Sequence, residues 1–376
     1  MIFAFCLYKY FPYGGLQRDF LRIAQAMQAR GHRVRVYCHT WQGDVPPEFE
    51  IVNVPVKGYT SQAKNRFFSR FMQQDLAQRP VDCVVGFNKM PGLDVYYAAD
   101  SCYAAKPLHK RSKLYTLMPR YRHFKRYEEA IFACGSNTQI LLLSPTQKTE
   151  FRNSYATELA RLHLLPASID ESRRAPSNAE QVRTAFRQEF AIADDDFLLL
   201  QIGSGFITKG VDRSLQALAA LPKELLVRTH LHVVGQDKAK KFEQLAVELG
   251  VADRVTFFDG RDDVPCFLQG ADLLIHPARA EAAGMILVEA VVAGLPVLTT
   301  AVCGYAFHVE QANAGATLTA PFDQNALNKA LVKMIVSPDR AQWRENGLRY
   351  AEQESLYSQT KVVADFLEDQ LTRGST

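Results

Sequence analysis

Short apolar runs alternate with longer amphipathic stretches along most of the chain. The runs that predict strands of a first sheet cover residues 2–7, 34–37, 51–56, 83–87, 95–98, 140–143 and 162–165. A second series is predicted at residues 197–202, 231–234, 255–258, 273–276 and 297–300. Such short, almost continuously apolar runs are typical of parallel strands covered on both faces by helices. The alternation therefore predicts an α/β fold with two doubly wound parallel-sheet domains that face a cleft.

Helical stretches separate the predicted strands. The clearest lie at residues 16–30, 212–221, 240–249 and 285–293. Because the first series of strands ends before Pro166, the sequence predicts an amino-terminal domain over residues 1–166 and a carboxyl-terminal domain over residues 167–354. The last helix, about residues 355–376, is predicted to cross back onto the first domain. A length of 376 residues is more than one core usually fills, which agrees with two domains.

Composition and charge exclude several classes of protein. No apolar stretch approaches the roughly 20 residues needed to cross a bilayer, and residues 1–5 lack the charged start and cleavage site of a signal peptide. A net charge of only +4 argues against nucleic acid as a partner. The seven cysteines form no CxxC pair and no metal-ligand spacing, which favours reduced thiols in a cytosolic protein.

Glu281 and Glu289 lie eight residues apart and bracket a predicted helix start. They follow a buried-strand pattern, and open α/β sheets bind their ligands beyond the carboxyl ends of strands. Free backbone N–H groups at a helix start attract phosphate, and carboxylates accept hydrogen bonds from sugar hydroxyls. This position favours a nucleotide-sugar site over a solvated glutamate and an ordinary helix-face glutamate. The residues at the helix start are Ala283, Gly284, Met285 and Ile286.

A glycine pair, Gly14 and Gly15, follows the first predicted strand. It precedes a helix that carries Asp19, and glycine lets a backbone approach a ligand closely. The same pair is also typical of a simple tight turn. The spacing is neither that of a dinucleotide fingerprint nor that of a P-loop.

Basic residues follow two predicted strands of the second domain. Lys209 comes after Gly203 and Ser204 and directly before a helix, where a cation is disfavoured unless it meets an anion. Lys209 is therefore a candidate ligand for a diphosphate. Arg261 also follows a strand. Its position is consistent with a contact to phosphate and equally with an ordinary surface arginine.

The glycine pair, Lys209 with Gly210, and the Glu281/Glu289 pair together resemble the retaining glycosyltransferases of family four, which have the GT-B fold of two Rossmann-like domains. The resemblance spans the whole chain. Residues 7–19, 85–94 and 302–306 further resemble the lipopolysaccharide core glucosyltransferases of that family. The resemblance implies UDP-glucose as donor, the inner-core heptose of lipid-linked lipopolysaccharide as acceptor, and an α-1,3 bond. It implies no metal and no other cofactor.

The resemblance also implies roles for individual residues. Lys209 would stabilise the leaving diphosphate, Glu281 would hold the glucose hydroxyls, and Glu289 the ribose diol. Asp19 and Asp100 would contact glucose or acceptor. No carboxylate is identified as a nucleophile, which favours front-face attack in which the departing phosphate oxygen takes the acceptor proton. The other donor-binding candidates are Gly14, Gly15, Arg173, Gly203, Ser204, Arg261, Ala283, Gly284, Met285 and Ile286.

Three alternatives remain at this point. The chain could use another nucleotide sugar or another acceptor within the same family. A nucleotide-sugar epimerase shares the two-domain architecture but needs no acceptor. A catalytically silent membrane scaffold is the non-enzymatic alternative, against which the intact Lys209, Glu281 and Glu289 count.

A basic segment over residues 106–126 holds eight Lys or Arg, no acidic residue and several aromatics. This composition favours peripheral binding to the anionic cytoplasmic face of the inner membrane, where each basic side chain contributes about 1 kcal/mol. The alternative is a helix packed on its own domain with a solvated basic face. The predicted membrane-binding residues are Lys106, Lys110, Arg111, Lys113, Arg120, Tyr121, Arg122, Phe124, Lys125 and Arg126.

Overall fold

The computed structural model describes residues 1–12, 14–105 and 113–373. The chain folds into two compact units. Unit 1 runs from Met1 to Ser168 and resumes at Ser358, and unit 2 covers Ile169–Tyr357. The division falls close to the boundaries at 166 and 354 that the sequence predicts.

Unit 1 is built on a seven-stranded parallel sheet. Its strands follow the order β5-β3-β1-β6-β7-β8-β9, and all seven are predicted from the sequence. The short parallel pair β2 and β4 lies outside this sheet and was not predicted. The strands are β1 Ile2–Cys6, β2 Lys9–Tyr10, β3 Arg33–Cys38, β4 Thr40–Trp41, β5 Phe49–Asn53, β6 Cys83–Gly86, β7 Val95–Ala98, β8 Gln139–Leu142 and β9 Leu162–Leu164. The helices between them are α1 Gly15–Ala29, α2 Ser61–Gln78, α3 Pro119–Phe132 and α4 Pro145–Tyr155.

Unit 2 contains a six-stranded parallel sheet in the order β12-β11-β10-β13-β14-β15. The strands are β10 Phe197–Ile202, β11 Thr229–Val234, β12 Val255–Phe258, β13 Leu273–His276, β14 Val297–Thr300 and β15 Gly315–Leu318, of which only β15 was not predicted. The helices are α5 Ala179–Glu189, α6 Phe206–Lys209, α7 Val211–Ala219, α8 Lys223–Leu226, α9 Lys240–Glu248, α10 Val264–Gly270, α11 Met285–Val292, α12 Ala306–Ala312, α13 Gln324–Val336 and α14 Arg340–Tyr350. None of the helices within the described ranges is both long and apolar enough to cross a membrane.

The last helix, α15 Gln359–Arg373, packs on α1 in unit 1. Arg30, which follows α1, donates hydrogen bonds to Asp365 at 2.7 Å and to Glu368 at 2.6 Å. At the start of α15, Gln359 Nε2 donates to the carbonyl oxygen of Pro166 at 2.7 Å. Charged and polar contacts therefore fix both the body and the start of this helix.

A buried carboxylate in α3 organises the loop that follows β7. Glu128 is fully buried and accepts hydrogen bonds from the ammonium group of Lys89 and from the hydroxyl of Tyr155 at 2.6 Å. It also accepts from the backbone N–H groups of Tyr103 at 2.8 Å and Ala104 at 3.0 Å. Because one side chain satisfies four donors from three segments, it ties the loop to the helix.

Removal of this carboxylate should destabilise unit 1. Glu128→Ala leaves the largely buried ammonium group of Lys89 with only the carbonyl oxygen of Ser101 as a partner, and leaves the backbone N–H groups of Tyr103 and Ala104 without their acceptor, at a cost of about 1–3 kcal/mol. We expect a clear fall in the thermal unfolding midpoint, measured by circular dichroism. The matched control is Glu129→Ala, which removes a half-exposed partner of Lys125 at 3.4 Å and should cost about 0.5 kcal/mol or less. Equal midpoints for the two variants would contradict the assigned role of Glu128.

Candidate functional site

The two central loops of unit 2 bring a cation and a carboxylate together. Strand order reverses between β10 and β13, and at such a switch point the loops after the two strands separate and leave a crevice. Lys209 follows β10, Glu281 follows β13, and the Lys209 ammonium group donates a hydrogen bond to Glu281 Oε2. Both side chains are largely buried, at 19% and 16% exposed. The structure thus joins two residues that the sequence places 72 positions apart.

Local backbone geometry holds Lys209 in place. It is the last residue of the one-turn helix α6, which Gly210 ends in the left-handed conformation with φ of 74°. A Cβ atom on Gly210 would lie 2.2 Å from the carbonyl oxygen of Pro277, so only glycine permits the two loops to approach this closely. The carbonyl oxygen of Lys209 accepts a hydrogen bond from Gln201 Nε2 at 2.8 Å. Burial lowers the pKa of the Lys209 ammonium group.

A histidine that sequence reasoning missed completes this cluster. His276 ends β13, is fully buried, and has Nε2 3.5 Å from Glu281 Oε2. Burial, together with the nearby charge of Lys209, lowers the pKa of His276 to about 3. The imidazole is therefore neutral near pH 7, and its approach to Glu281 is not an ion pair. Neither ring nitrogen has a hydrogen-bond partner within the described part of the chain. The sequence indicated this residue only as a polar side chain at the end of an apolar run.

The helix start predicted after Glu281 is present. Helix α11 begins at Met285, and Gly284 precedes it in the left-handed conformation with φ of 91°. The loop is tied to the segment after β14, since the backbone N–H of Gly304 donates to Glu281 O at 3.1 Å and that of Tyr305 to Ala283 O at 2.7 Å. The first N–H groups of a helix have no acceptor within the helix. Those of Met285 and Ile286 therefore have no acceptor within α11, and a Cβ atom on the preceding Gly284 would lie 3.1 Å from Glu281 Cγ.

The second carboxylate lies near another predicted residue. Glu289 projects from α11, is largely buried, and has Oε2 4.0 Å from Arg173 Nε, at the outer limit of an ion pair. Arg173 ends a short 3-10 helix, Glu171–Arg173, that is capped by Asp170. Its Nη1 atom is buried without a hydrogen-bond partner among the residues described. A polar ligand group between Arg173 and Glu289 would find both a donor and an acceptor.

Other predicted donor-binding residues make different contacts. Arg261 forms a two-point ion pair with Asp263, with distances of 2.8 and 2.6 Å, in the loop after β12. Ser204 Oγ accepts a hydrogen bond from the backbone N–H of Gln236 at 3.1 Å. By contrast, Gly203 adjoins Lys209, because a Cβ atom placed on it would lie 3.3 Å from Lys209 Cε.

The remaining candidates belong to unit 1. Gly14 caps α1 and Gly15 is its first residue. Asp19 is buried, with Oδ2 2.8 Å from the hydroxyl of Tyr97. Burial raises the pKa of Asp19 to about 6, against the opposing effect of the Tyr97 hydrogen bond. Asp100 is exposed after β7. The sugar contacts expected of the two aspartates stay a prediction.

The basic segment is described in part. Lys106, Lys110 and Arg111 lie outside the described residues, and Lys113 begins the 3-10 helix Lys113–Leu117. In α3, Lys125 pairs with Glu129 at 3.4 Å. The basic side chains of α3 that are exposed are Arg120, Arg122 and Arg126.

The aromatic residues of α3 are less exposed than the sequence suggested. Tyr121 and Phe124 are half-buried and pack on Tyr103. Their ring centroids lie 5.6 and 5.8 Å, respectively, from that of Tyr103. Farther along the same helix, Ile131 and Phe132 are fully buried in the core of unit 1. The apolar side chains exposed beside the basic ones are Leu117, at 57%, and Met118, at 50%.

The chain has two α/β domains, each built on a parallel sheet. At the switch point of the second sheet, a cation and a carboxylate lie beside a helix start. These are the features of a GT-B glycosyltransferase. Family models agree: residues 13–173 match "Glycosyltransferase Family 4" and residues 182–350 match "Glycosyl transferases group 1". The lipopolysaccharide glucosyltransferase WaaG of Escherichia coli strain K12 is 50% identical over 368 residues, 98% of each chain. The chain therefore belongs to glycosyltransferase family 4.

Solved structures support the predicted GT-B fold. The crystal structure of WaaG, described as a glycosyltransferase involved in lipopolysaccharide biosynthesis, superposes with a TM-score of 0.92 at 50% identity, covering 97% of this chain and 99% of that one. HepE of Anabaena, crystallised in complex with UDP-glucose, superposes with a TM-score of 0.74 at 18% identity and covers 99% of this chain and 100% of its own. The second likeness concerns the fold alone.

The conformation of Gly284 should control anion binding at the start of α11. Gly284→Ala places a side chain at positive φ and 3.1 Å from Glu281 Cγ, so the loop must shift. Gly250→Ala is the matched control in unit 2, because its φ of 71° carries the same backbone cost but nothing lies within 4 Å. Each variant should lose about 1–2 kcal/mol of stability.

Only Gly284→Ala should also weaken binding of inorganic pyrophosphate, by roughly tenfold, as measured by isothermal titration calorimetry. Equal pyrophosphate affinity in the two variants would show that the helix start is not the anion site.

Proposed function

We propose that this chain transfers glucose from UDP-glucose to the inner-core heptose of lipid-linked lipopolysaccharide, with retention and an α-1,3 linkage. The observation that carries the proposal is the Lys209–Glu281 pair at the switch point of unit 2, close to the start of α11. The WaaG relative named above supports the choice of sugar and acceptor, since half of all aligned residues are identical across 98% of both chains.

Donor binding would replace the Lys209–Glu281 hydrogen bond by one contact between the donor and Lys209 and another between the donor and Glu281. The ammonium group of Lys209 and the N–H groups of Met285 and Ile286 would bind the diphosphate. Glu281, released from Lys209, would accept hydrogen bonds from the glucose hydroxyls. Glu289 would bind the ribose diol, with the Arg173 guanidinium beside it.

In the transfer step, the bond between glucose C1 and the phosphate oxygen breaks, and its electron pair stays on UDP. Fixed donors lower the barrier because negative charge grows on that oxygen. The acceptor hydroxyl attacks C1 from the same face, and its proton passes to the departing phosphate oxygen. Lys209 and the α11 N–H groups would supply this stabilisation without a metal. Neutral His276 adds no charge beside Glu281, so the carboxylate remains available to the sugar.

Substitution of the pair tests the proposal. Lys209→Met and Glu281→Gln should each lower kcat/KM for glucose transfer by about 10²–10³, the usual effect of losing one group that stabilises a transition state. Lys223→Met and Glu224→Gln are the matched controls, because both side chains are exposed on α8. The assay follows the mass of the acceptor product with a panel of UDP-sugars.

Full-rate transfer by Glu281→Gln would contradict the assigned site. Turnover of UDP-glucose without acceptor would favour the epimerase alternative. Chelation with EDTA should leave the rate unchanged, and a loss that Mg²⁺ restores would refute metal-independent transfer.

We also propose that the start of α3 binds the anionic cytoplasmic surface of the inner membrane. Exposed Arg120, Arg122 and Arg126 lie beside exposed Leu117 and Met118, which combines charge with apolar area. A lipid-linked acceptor would be reached from such a position.

Loss of basic charge from α3 should weaken membrane binding. The Arg122→Ala/Arg126→Ala variant should bind vesicles containing phosphatidylglycerol more weakly by about 2 kcal/mol, roughly 30-fold. Arg70→Ala/Arg152→Ala removes the same charge from exposed positions of α2 and α4 and serves as the control. Co-sedimentation that depends on neither salt nor anionic lipid would count against the membrane proposal.

A further inference from the structure

The imidazole of His276 is buried beside the Lys209–Glu281 pair but takes no part in its hydrogen bond. His276 is fully buried at the end of β13, and neither of its ring nitrogens has a partner within the described ranges. Its Nε2 atom lies 3.5 Å from Glu281 Oε2, which exceeds the roughly 2.7–3.2 Å of an ordinary N–H···O hydrogen bond. Because an unpaired polar group in the interior destabilises a fold, this histidine calls for a role.

The backbone of His276 is held from two sides. Its carbonyl oxygen accepts hydrogen bonds from the backbone N–H of Ala278 at 2.9 Å and from Thr299 Oγ1 at 3.1 Å. Strand β13 also lies in the middle of the sheet, between β10 and β14. The imidazole is thus fixed, whereas Glu281 lies in the loop beyond the strand. A shift of the carboxylate by less than about 1 Å would bring its Oε2 atom within hydrogen-bond distance of Nε2.

The position of the ring proton follows from what faces each nitrogen. Burial and the nearby Lys209 lower the pKa of His276 to about 3, so near pH 7 one nitrogen carries a proton and the other a lone pair. A lone pair on Nε2 would repel the carboxylate oxygen of Glu281, whereas an N–H group there can donate to it. A buried N–H without an acceptor is also rarer than a buried acceptor without a donor. Both arguments place the proton on Nε2.

We propose that His276 is a positioning residue, whose Nε2–H donates to Glu281 Oε2 once a diphosphate draws the Lys209 ammonium group away. The inference rests on the proposed function, in which Lys209 binds the diphosphate and Glu281 the transferred sugar. Lys209 donates to Glu281 Oε2 in the structure, and a largely buried carboxylate that loses this donor needs another. A hydrogen bond from His276 to Oε2 also leaves Oε1 of the same carboxylate for a sugar hydroxyl.

Substitution of His276 tests this role by separating sugar binding from nucleotide binding. His276→Leu removes the donor, and His276→Gln restores an N–H group near the former position of Nε2. His276→Leu should lower kcat/KM for transfer and the affinity for UDP-glucose by roughly tenfold each, the usual effect of losing one hydrogen bond to a charged group. The affinity for UDP should not change, because Glu281 contacts only the sugar. His276→Gln should recover most of the loss.

His232→Leu is the matched control. His232, in β11, is also a buried histidine, and its Nδ1 atom likewise has no partner among the residues described. Its ring packs against Phe258 and Phe190, with centroids 5.0 and 5.5 Å away. The control therefore loses a buried imidazole of the same unit and should keep its affinity for UDP-glucose. Equal weakening of UDP and UDP-glucose by His276→Leu would show a general disturbance of the site and would overturn the inference.

Nitrogen-15 NMR with inorganic pyrophosphate tests the same contact without any sugar. The imidazole signals that His276→Gln lacks belong to His276. We expect them to report a neutral ring protonated at Nε2, with the Nε2–H proton moving downfield when pyrophosphate is added. That result supports the inference even if the wild-type protein fails to use UDP-glucose, which would refute the proposed donor alone.

Two other results would overturn the inference. One is a ring protonated at Nδ1, or an Nε2–H signal that saturating pyrophosphate leaves unmoved. The other is transfer by His276→Leu at the rate of His232→Leu, which would leave the proposed function standing.

Discussion

Reversal of strand order in a parallel sheet is the constraint on which this structure depends. The chain leaves the central strands of each sheet toward opposite faces, so the loops after them diverge and leave a crevice at the carboxyl edge. In unit 2 the crevice lies between β10 and β13 and holds Lys209 and Glu281. In unit 1 it lies between β1 and β6 and holds Tyr8 and Asn88. One topological rule, applied twice, accounts for the position of both clusters.

The chemistry of the unit 2 cluster follows from partial burial. A charged group taken out of water is costly unless it is paired, and the lowered pKa of Lys209 reflects that cost. Glu281 offsets it through a direct hydrogen bond. The same low exposure strengthens any later interaction of the ammonium group with a phosphate, because the surrounding dielectric is low. The hydrogen bond to Glu281 is thus what makes the burial of the Lys209 ammonium group tolerable.

The sequence predicted most of the fold because central parallel strands leave a strong apolar pattern. Strand β15, Gly315–Leu318, was missed since it is half-exposed and opens with two small residues, and two-residue strands such as β2 leave no periodicity. Lys209 and Glu281 were predictable because each lies within a few residues of the carboxyl end of a buried strand. His276 was not, since its approach to Glu281 arises only when the chain folds. The composition of residues 106–126 could not specify that Tyr121 and Phe124 pack on Tyr103 of the same unit.

The contacts of α15 with Arg30 and Pro166 make unit 2 an insertion within unit 1. During synthesis, every residue of unit 2 has been made once Tyr357 is added, so that unit can fold while the chain is still growing. Unit 1 is made first but is completed last, because α1 lacks its packing partner until the final helix emerges. The ribosome therefore releases a chain in which unit 2 can already be folded, whereas unit 1 still needs its last helix to be complete.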